Sequence, residues 1–436
     1  MANQSENFHR QEAVLVDGAR IPFQRAGTGY KQLMAYDLGR MAIEGLIGRS
    51  NIDAATIDRV IMGCVIQDVN TSNVARESAL GAGLPLSIPA HTVTQACISS
   101  NQATTSAVDL IRSGQAEIVL AGGTETMSDI PIRFRRKFRQ KLLDARKYKS
   151  LSDWLSFFKG LRPSDLLPDI PDISEFSTGE TMGQSCDRMA AHFGISREAQ
   201  DEYSLRSHRL AAKATHEGLL DEQLLPAAVP PDFKTIEHDN GFREDTSMEK
   251  LEKLSPAFIK PHGTITAGNS SFLTDGASAS LIMSEAKARN LELQPMAYLR
   301  EYTYVAQNPE DELLLGPAYA TPVVLDKMGL SLSDIDVFEF HEAFAGQILT
   351  ILKALNSDTF AKEKLNREQK VGEIPMDKFN LWGGSLSLGH PFGATGTRIV
   401  TTAANRLHQE DGRFALVTAC AAGGQGHAMI LERYES

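Results

Sequence analysis

Long apolar runs are missing from this 436-residue chain, and no stretch could span a bilayer as a helix. Cysteine is scarce: Cys64, Cys97, Cys186 and Cys420 are scattered along the sequence. That spacing argues for a reducing compartment and against a disulfide framework. Neither Cys-x-x-Cys nor His-Glu-x-x-His occurs, so no metal site is expected. An excess of positive charge is lacking too, since 44 Lys/Arg against 55 Asp/Glu leave −11. This argues against general nucleic-acid binding. The first twenty residues carry Glu6, Glu12 and Asp17 without an apolar run, which speaks against a secretory or import signal. A cytoplasmic protein is expected. The rest of the composition, 42% hydrophobic and 23% charged, is that of an ordinary globular chain able to bury a core in two or three domains.

The chain states one pattern twice. Residues 52–63, Ile-Asp-Ala-Ala-Thr-Ile-Asp-Arg-Val-Ile-Met-Gly, are echoed by residues 330–341, Leu-Ser-Leu-Ser-Asp-Ile-Asp-Val-Phe-Glu-Phe-His. In each copy a helical pattern (Leu38 to Ile47, Pro322 to Met328) passes through a polar turn into a short apolar strand. Alternating strands and helices predict α/β layers with a largely parallel sheet in each half. The expected division is 1–126 plus 263–288 for the first half, 127–262 for an inserted loop domain, and 289–436 for the second half. The strand-like Thr264–Ala267 and Ala279–Met283 are expected to return the chain to the first half.

Three places combine a reactive side chain with small neighbours. Cys97 follows an alternating strand and precedes a helix expected over about Ser99 to Ile111. The positive end of that helix, with free N–H groups, would favour a thiolate. His390 lies in Gly389-His390-Pro391-Phe392-Gly393-Ala394-Thr395-Gly396, where Pro391 suits a first helical turn and the imidazole can move a proton. Cys420 opens Cys420-Ala421-Ala422-Gly423-Gly424-Gln425-Gly426, whose glycines permit positive φ and expose backbone N–H groups. A fourth stretch, His341-Glu342-Ala343-Phe344, ends a strand. Each of these has a structural reading by itself, as a buried thiol, a satisfied imidazole or a tight turn.

Read together and in this order, the Cys97 helix start, His341-Glu342-Ala343-Phe344, Gly389-His390-Pro391 and Cys420-Ala421-Ala422-Gly423-Gly424 resemble the four signature blocks of the thiolase family. The resemblance spans nearly the whole chain. It implies an α/β thiolase-like fold: two similar βα halves in a five-layered αβαβα core, with an inserted loop domain that binds coenzyme A. It implies Cys97 as the acyl-carrying nucleophile, His390 as the base that activates it and then coenzyme A, and Cys420 as the acid/base for the carbon-bound proton. One oxyanion site would use His390 with a water held by His341; the other would use the N–H groups of Cys97 and Ala422. Met182, Ala267, Ser271 and Phe344 are the implied substrate contacts, coenzyme A being a substrate with no permanently bound cofactor. His341 stands where most of the family carries asparagine, and Ala422 where many carry glycine.

The His-Glu-Ala-Phe block, with residues 178–183 and 381–385, most resembles the thiolase (beta) subunits of the fatty-acid oxidation trifunctional complex. That resemblance implies 3-ketoacyl-CoA cleavage in β-oxidation by a homodimer within a heterotetramer with a hydratase/dehydrogenase alpha subunit. A biosynthetic acetoacetyl-CoA thiolase, a ketoacyl-synthase-like condensing enzyme and a non-catalytic scaffold subunit are the alternatives. Cys420 argues against the synthase, and the intact trio against the scaffold. Residues 131–160 carry ten Lys/Arg against two Asp, +8 in a chain of −11. Leu151, Trp154, Leu155, Phe158 and Leu161 follow at helical spacing. This pattern suits either a solvated face beside one core helix, or a surface for an anionic membrane or a partner subunit.

Overall fold

The computed structural model describes residues 11–169 and 173–435. Its strands are β1 (Ala13–Arg20), β2 (Arg59–Gly63), β3 (Ala90–Val93), β4 (Ile118–Glu125), β5 (Thr274–Ser284), β6 (Ala297–Ala306), β7 (Val337–Phe340), β8 (Phe414–Ala421) and β9 (Gln425–Arg433). They run as one continuous sheet in the order β7-β8-β9-β6-β1-β5-β4-β2-β3. The halves meet where β1 pairs briefly with β6, Val14 opposite Tyr298 and Leu15 opposite Ala297. The order β2-β4-β5-β1 in the first half is matched by β7-β8-β9-β6 in the second. In both, the first pairing is parallel and the next two are antiparallel. The expected largely parallel sheets are therefore mixed: strands buried on both faces look alike in sequence whichever way they run.

The helices used below are α1 (Ala35–Ser50), α2 (Val74–Gly81), α3 (Ser99–Arg112), α4 (Arg136–Ala145), α5 (Leu151–Phe157), α6 (Met182–His192), α7 (Arg197–His216), α8 (Gly316–Met328), α9 (Ala345–Leu355) and α10 (Thr395–Gln409). Alternation along the strands sorts them into layers. Val119, Ile282, Val417 and Leu431 face a middle layer with Val108 and Ile111 of α3 and Ile399, Val400 and Leu407 of α10. Their neighbours Leu120 and Leu281 face the opposite way, onto Leu38, Ile43 and Leu46 of α1 and Ala75 and Ala79 of α2. Leu416 and Ile430 likewise face Val324 of α8 and Ile348 and Ile351 of α9. The result is a five-layered αβαβα stack, with α3 and α10 shared by the two halves.

Two expectations fail here. Thr264–Ala267 is not a strand, because side chains satisfy its backbone instead of a ladder. Asp187 accepts from the N–H groups of Thr264 (2.6 Å) and Ile265 (2.9 Å), and Asn269 from that of Thr266 (2.7 Å). The apolar stripe after the basic run is no core helix either. In α5 Phe157 alone is buried, while Leu151, Trp154, Leu155 and the following Phe158 are 52–78% exposed. A small aromatic knot, Phe134–Phe138–Phe157–Phe158, holds this hairpin together from within.

The halves are in close contact at the end of β4. A Cβ on Gly123 would stand 1.8 Å from the carbonyl oxygen of Gly393, and one on Gly393 would meet the Thr124 and Gly63 carbonyls at 2.5 and 2.7 Å. Gly123→Ala should therefore destabilise the protein by about 1–3 kcal/mol through overpacking. A thermal melt beside wild type measures it, and an unchanged midpoint would contradict this packing.

Candidate active site

Cys97 sits in the turn between β3 and α3. Ser99 Oγ accepts from the Gln95 N–H at 2.8 Å and donates to the Ala96 carbonyl at 2.6 Å. Within that turn Ala96 adopts φ +45°, a left-handed conformation that costs a non-glycine residue about 1 kcal/mol or more. The thiol that results is half-buried and free. The N–H groups of Ala422 and of Cys97 itself face its sulfur. The early N–H groups at the start of α3 are otherwise engaged, Ile98 to the Gln95 carbonyl and Ser99 to that of Ala96.

His390 approaches from the second half. Gly389, at φ +105° and with no room for a Cβ beside Thr274, makes the bend that delivers it. The His390 N–H donates to Thr274 Oγ1 (3.0 Å) and its Nδ1 lies 2.7 Å from Thr395 Oγ1, which donates to the Pro391 carbonyl at 3.0 Å. Pro391 is not in a first helical turn as expected, since α10 opens only at Thr395. The carbonyl of Pro391 instead receives the Ala394 and Thr395 N–H groups.

His341, fully buried, follows β7 and lies against His390, with ring centroids 4.0 Å apart and ring planes at 41°. Its Nδ1 lies 2.9 Å from Ser385 Oγ. The Nε2 atoms of both imidazoles have no hydrogen-bond partner among the described residues. The sulfur of Cys97 and one ring nitrogen each of His341 and His390 lie within 4.8 Å of one another. Glu342, by contrast, is a structural carboxylate, held by Tyr203, Ser207, Asn380 and the Leu386 N–H.

Cys420 lies inside β8, opposite Gly426 of β9, and not after the strand as the sequence suggests. It is 1% exposed. The turn that follows uses positive φ at Gly423 and Gly424, whereas Gly426 is needed because it packs on the backbone of Gly316. Glu175 accepts from the Gly423 N–H at 2.6 Å, and Gln95 donates to Gln425 at 2.9 Å, so this turn is braced on both sides.

Burial dominates the electrostatics. Desolvation pushes the Cys97 thiol up to about 11 against the pull of the Ala422 N–H. The thiolate expected from the helix end is thus not the resting state, because the cost of burying the charge exceeds that pull. Desolvation, then the nearby Cys97, raises the Cys420 thiol. His341 is pushed down to about 3 by burial and by Arg398, and His390 well below its usual range by burial, His341 and Arg398. Both imidazoles are neutral near pH 7, so one can take a thiol proton instead of holding a standing ion pair.

Of the implied substrate contacts, Ser271 and Phe344 lie on one strip beside His341. Ser271 donates its N–H to the Ala343 carbonyl at 2.9 Å, and Ser270 bridges Phe344. Ala267 occupies the exposed turn leading into that strip. Met182 stands on the first turn of α6 beside Gly183, against which Phe258 packs, and Phe258 meets Phe344 edge-on at 5.9 Å. Sequence reasoning missed Thr395, Ser385, Arg398, Glu175 and Glu125. Glu125 accepts the N–H of Gly393 at 3.0 Å from across the halves. Only a hydroxyl or charge next to a candidate block signals them, and such residues are common.

Known proteins match this chain over its length. The bovine (Bos taurus) protein named trifunctional enzyme subunit beta, mitochondrial, is 60% identical over 421 residues, 97% of this chain and 88% of the relative. The human (Homo sapiens) protein of the same name is 58% identical over 424 residues, 97% of this chain and 89% of its own. These mitochondrial relatives overturn the expected cytoplasmic location, which rested on composition and on a leader-like pattern not found in the first twenty residues. Of those, residues 1–10 lie outside the described structure. The crystal structure of human mitochondrial 3-ketoacyl-CoA thiolase in complex with CoA superposes with a TM-score of 0.82 at 30% identity, covering 97% of this chain and 98% of the other. The family models "Thiolase, N-terminal domain" and "Thiolase, C-terminal domain" match residues 13–286 and 293–433, and the chain belongs to the thiolase family of acyltransferases.

Proposed function

We propose that this chain is a 3-ketoacyl-CoA thiolase, cleaving 3-ketoacyl-CoA with coenzyme A to acetyl-CoA and an acyl-CoA two carbons shorter. The observation that carries the reading is the Cys97 sulfur gathered with two neutral imidazoles and two backbone N–H groups. Cys97 attacks the C3 carbonyl as His390 Nε2 takes its proton. The N–H groups of Cys97 and Ala422 hold the resulting oxyanion, and His341 with His390 holds the thioester oxygen as the C2–C3 bond breaks. Cys420 protonates the departing carbanion. A buried thiol with a raised pKa suits that step, because the carbon acid formed is itself very weak. The proton held by His390 then restores the Cys420 thiol; His390, neutral again, takes the thiol proton of coenzyme A as its sulfur attacks the Cys97 thioester, and passes it to the departing Cys97 sulfur.

Two substitutions separate these roles. Cys97→Ala should abolish covalent labelling by an acyl-CoA, followed by mass spectrometry; persistent labelling with full turnover would sink the mechanism. Cys420→Ala should keep acylation from a simple thioester while cutting carbon–carbon cleavage by at least about 10²-fold. Equal loss of both steps would contradict the role assigned to Cys420.

The relatives named as subunit beta support a second part of the reading: the chain works as a homodimer with a hydratase/dehydrogenase alpha subunit. The α4–α5 hairpin supports contact with an anionic membrane. Ten basic residues and the exposed Leu151, Trp154, Leu155 and Phe158 share one short segment that the chain's own core leaves uncovered. Vesicles containing anionic lipid should pellet the protein at low salt and release it at high salt. Deleting residues 133–158 should remove that binding, and unchanged sedimentation would refute the membrane contact.

A further inference from the structure

His341 and His390 lie side by side, both neutral, and nothing in their residue type says which is acceptor and which donor. Their outer nitrogens decide it. A threonine hydroxyl has one hydrogen, and that of Thr395 has the Pro391 carbonyl within reach at 3.0 Å. With its hydrogen so placed the hydroxyl accepts from His390 Nδ1–H, the arrangement that leaves His390 Nε2 as the bare acceptor the proposed base role needs. The environment of His341 is reversed. Arg398, a pure donor, gives an Nη2–H to Ser385 Oγ at 3.0 Å. Among the described residues the one remaining hydrogen-bond partner of that hydroxyl is His341 Nδ1, so the serine donates to it and the proton of His341 sits on Nε2.

We propose that Ser385, held by Arg398, is a positioning residue that locks His341 as the Nε2–H tautomer. His341 is then a standing hydrogen-bond donor toward the thioester oxygen, beside a histidine that begins as acceptor. Arg398 is fully buried, with Glu339 as the nearest counter-charge at 4.0 Å. Its charge also disfavours a proton on either imidazole, which keeps the two tautomers distinct. This inference rests on the reading of His341 as an oxyanion partner and adds the device that makes it one.

A double-substitution cycle on the full chain tests it. Ser385→Ala should lower kcat for thiolysis by about 10²-fold, the scale of one lost oxyanion donor, with KM changed less than about two-fold. In a His341→Asn background, where no tautomer remains to be set, the same Ser385→Ala should cost nothing further. Nitrogen-15 NMR of histidine-labelled wild type should show His341 protonated at Nε2 and His390 at Nδ1. Equal Ser385→Ala losses in both backgrounds, or a wild-type His341 protonated at Nδ1, overturns the proposal. Should Ser385→Ala fail to fold, the wild-type spectrum decides alone. Full turnover in His341→Ala would instead bring down the oxyanion reading itself, a separate failure.

Discussion

One buried carboxylate holds the reacting groups in a common frame. Glu125, at the end of β4, accepts from the N–H groups of Val65 and Ile66 in its own half and from Gly393 in the other. The Cys64 thiol completes the set at 3.7 Å. Burial pushes this carboxyl up to about 7 even against those donors. Because Cys97 belongs to the first half and His341, His390 and Cys420 to the second, the chemistry lies across the seam. A shift of an ångström along it would separate the proposed nucleophile from its proposed base, and catalysis by proximity tolerates little of that. The close approach of Gly123 and Gly393 is the steric side of the same constraint.

Dryness is the second theme. Groups desolvated to this degree cannot cheaply hold charge, so the thiols and imidazoles stay neutral at rest. The buried charges beside it are held by fixed partners: Arg406 meets Glu339 at 2.8 Å, with Arg398 4.0 Å from the same carboxylate. Removing one partner from such a set is far more damaging than the pair's net worth suggests, since an uncompensated charge is left behind. The site therefore depends on residues that never touch a substrate.

Much of this was legible in the sequence, for definable reasons. The repeated helix–turn–strand echo marks equivalent elements because periodicity and turn chemistry are local properties. The reactive blocks are recognisable because a thiol or imidazole among glycines is rare. Strand direction was not legible: Val119–Leu120 and Leu416–Val417 read the same parallel or antiparallel, and β5 and β9 run back against their neighbours. Exposure was not legible either. Leu151, Trp154 and Leu155 have the spacing of a core helix, yet only the position of α5 shows that no core covers them. The thiol pKa of Cys97 was misjudged for a related reason, since a helix end is visible in sequence while desolvation depends on what packs around it.

By itself the sequence determined the α/β class, the duplicated plan, and which side chains had the chemistry for acyl transfer. These follow from local pattern and residue type. Tertiary structure alone decided that four blocks separated by as many as 323 positions (Cys97 to Cys420) share one small volume. It also decided which imidazole accepts, which donates and how the thiols titrate. Those properties belong to groups brought together by folding, whose hydrogen bonds and loss of solvent do not exist until the chain has closed around them.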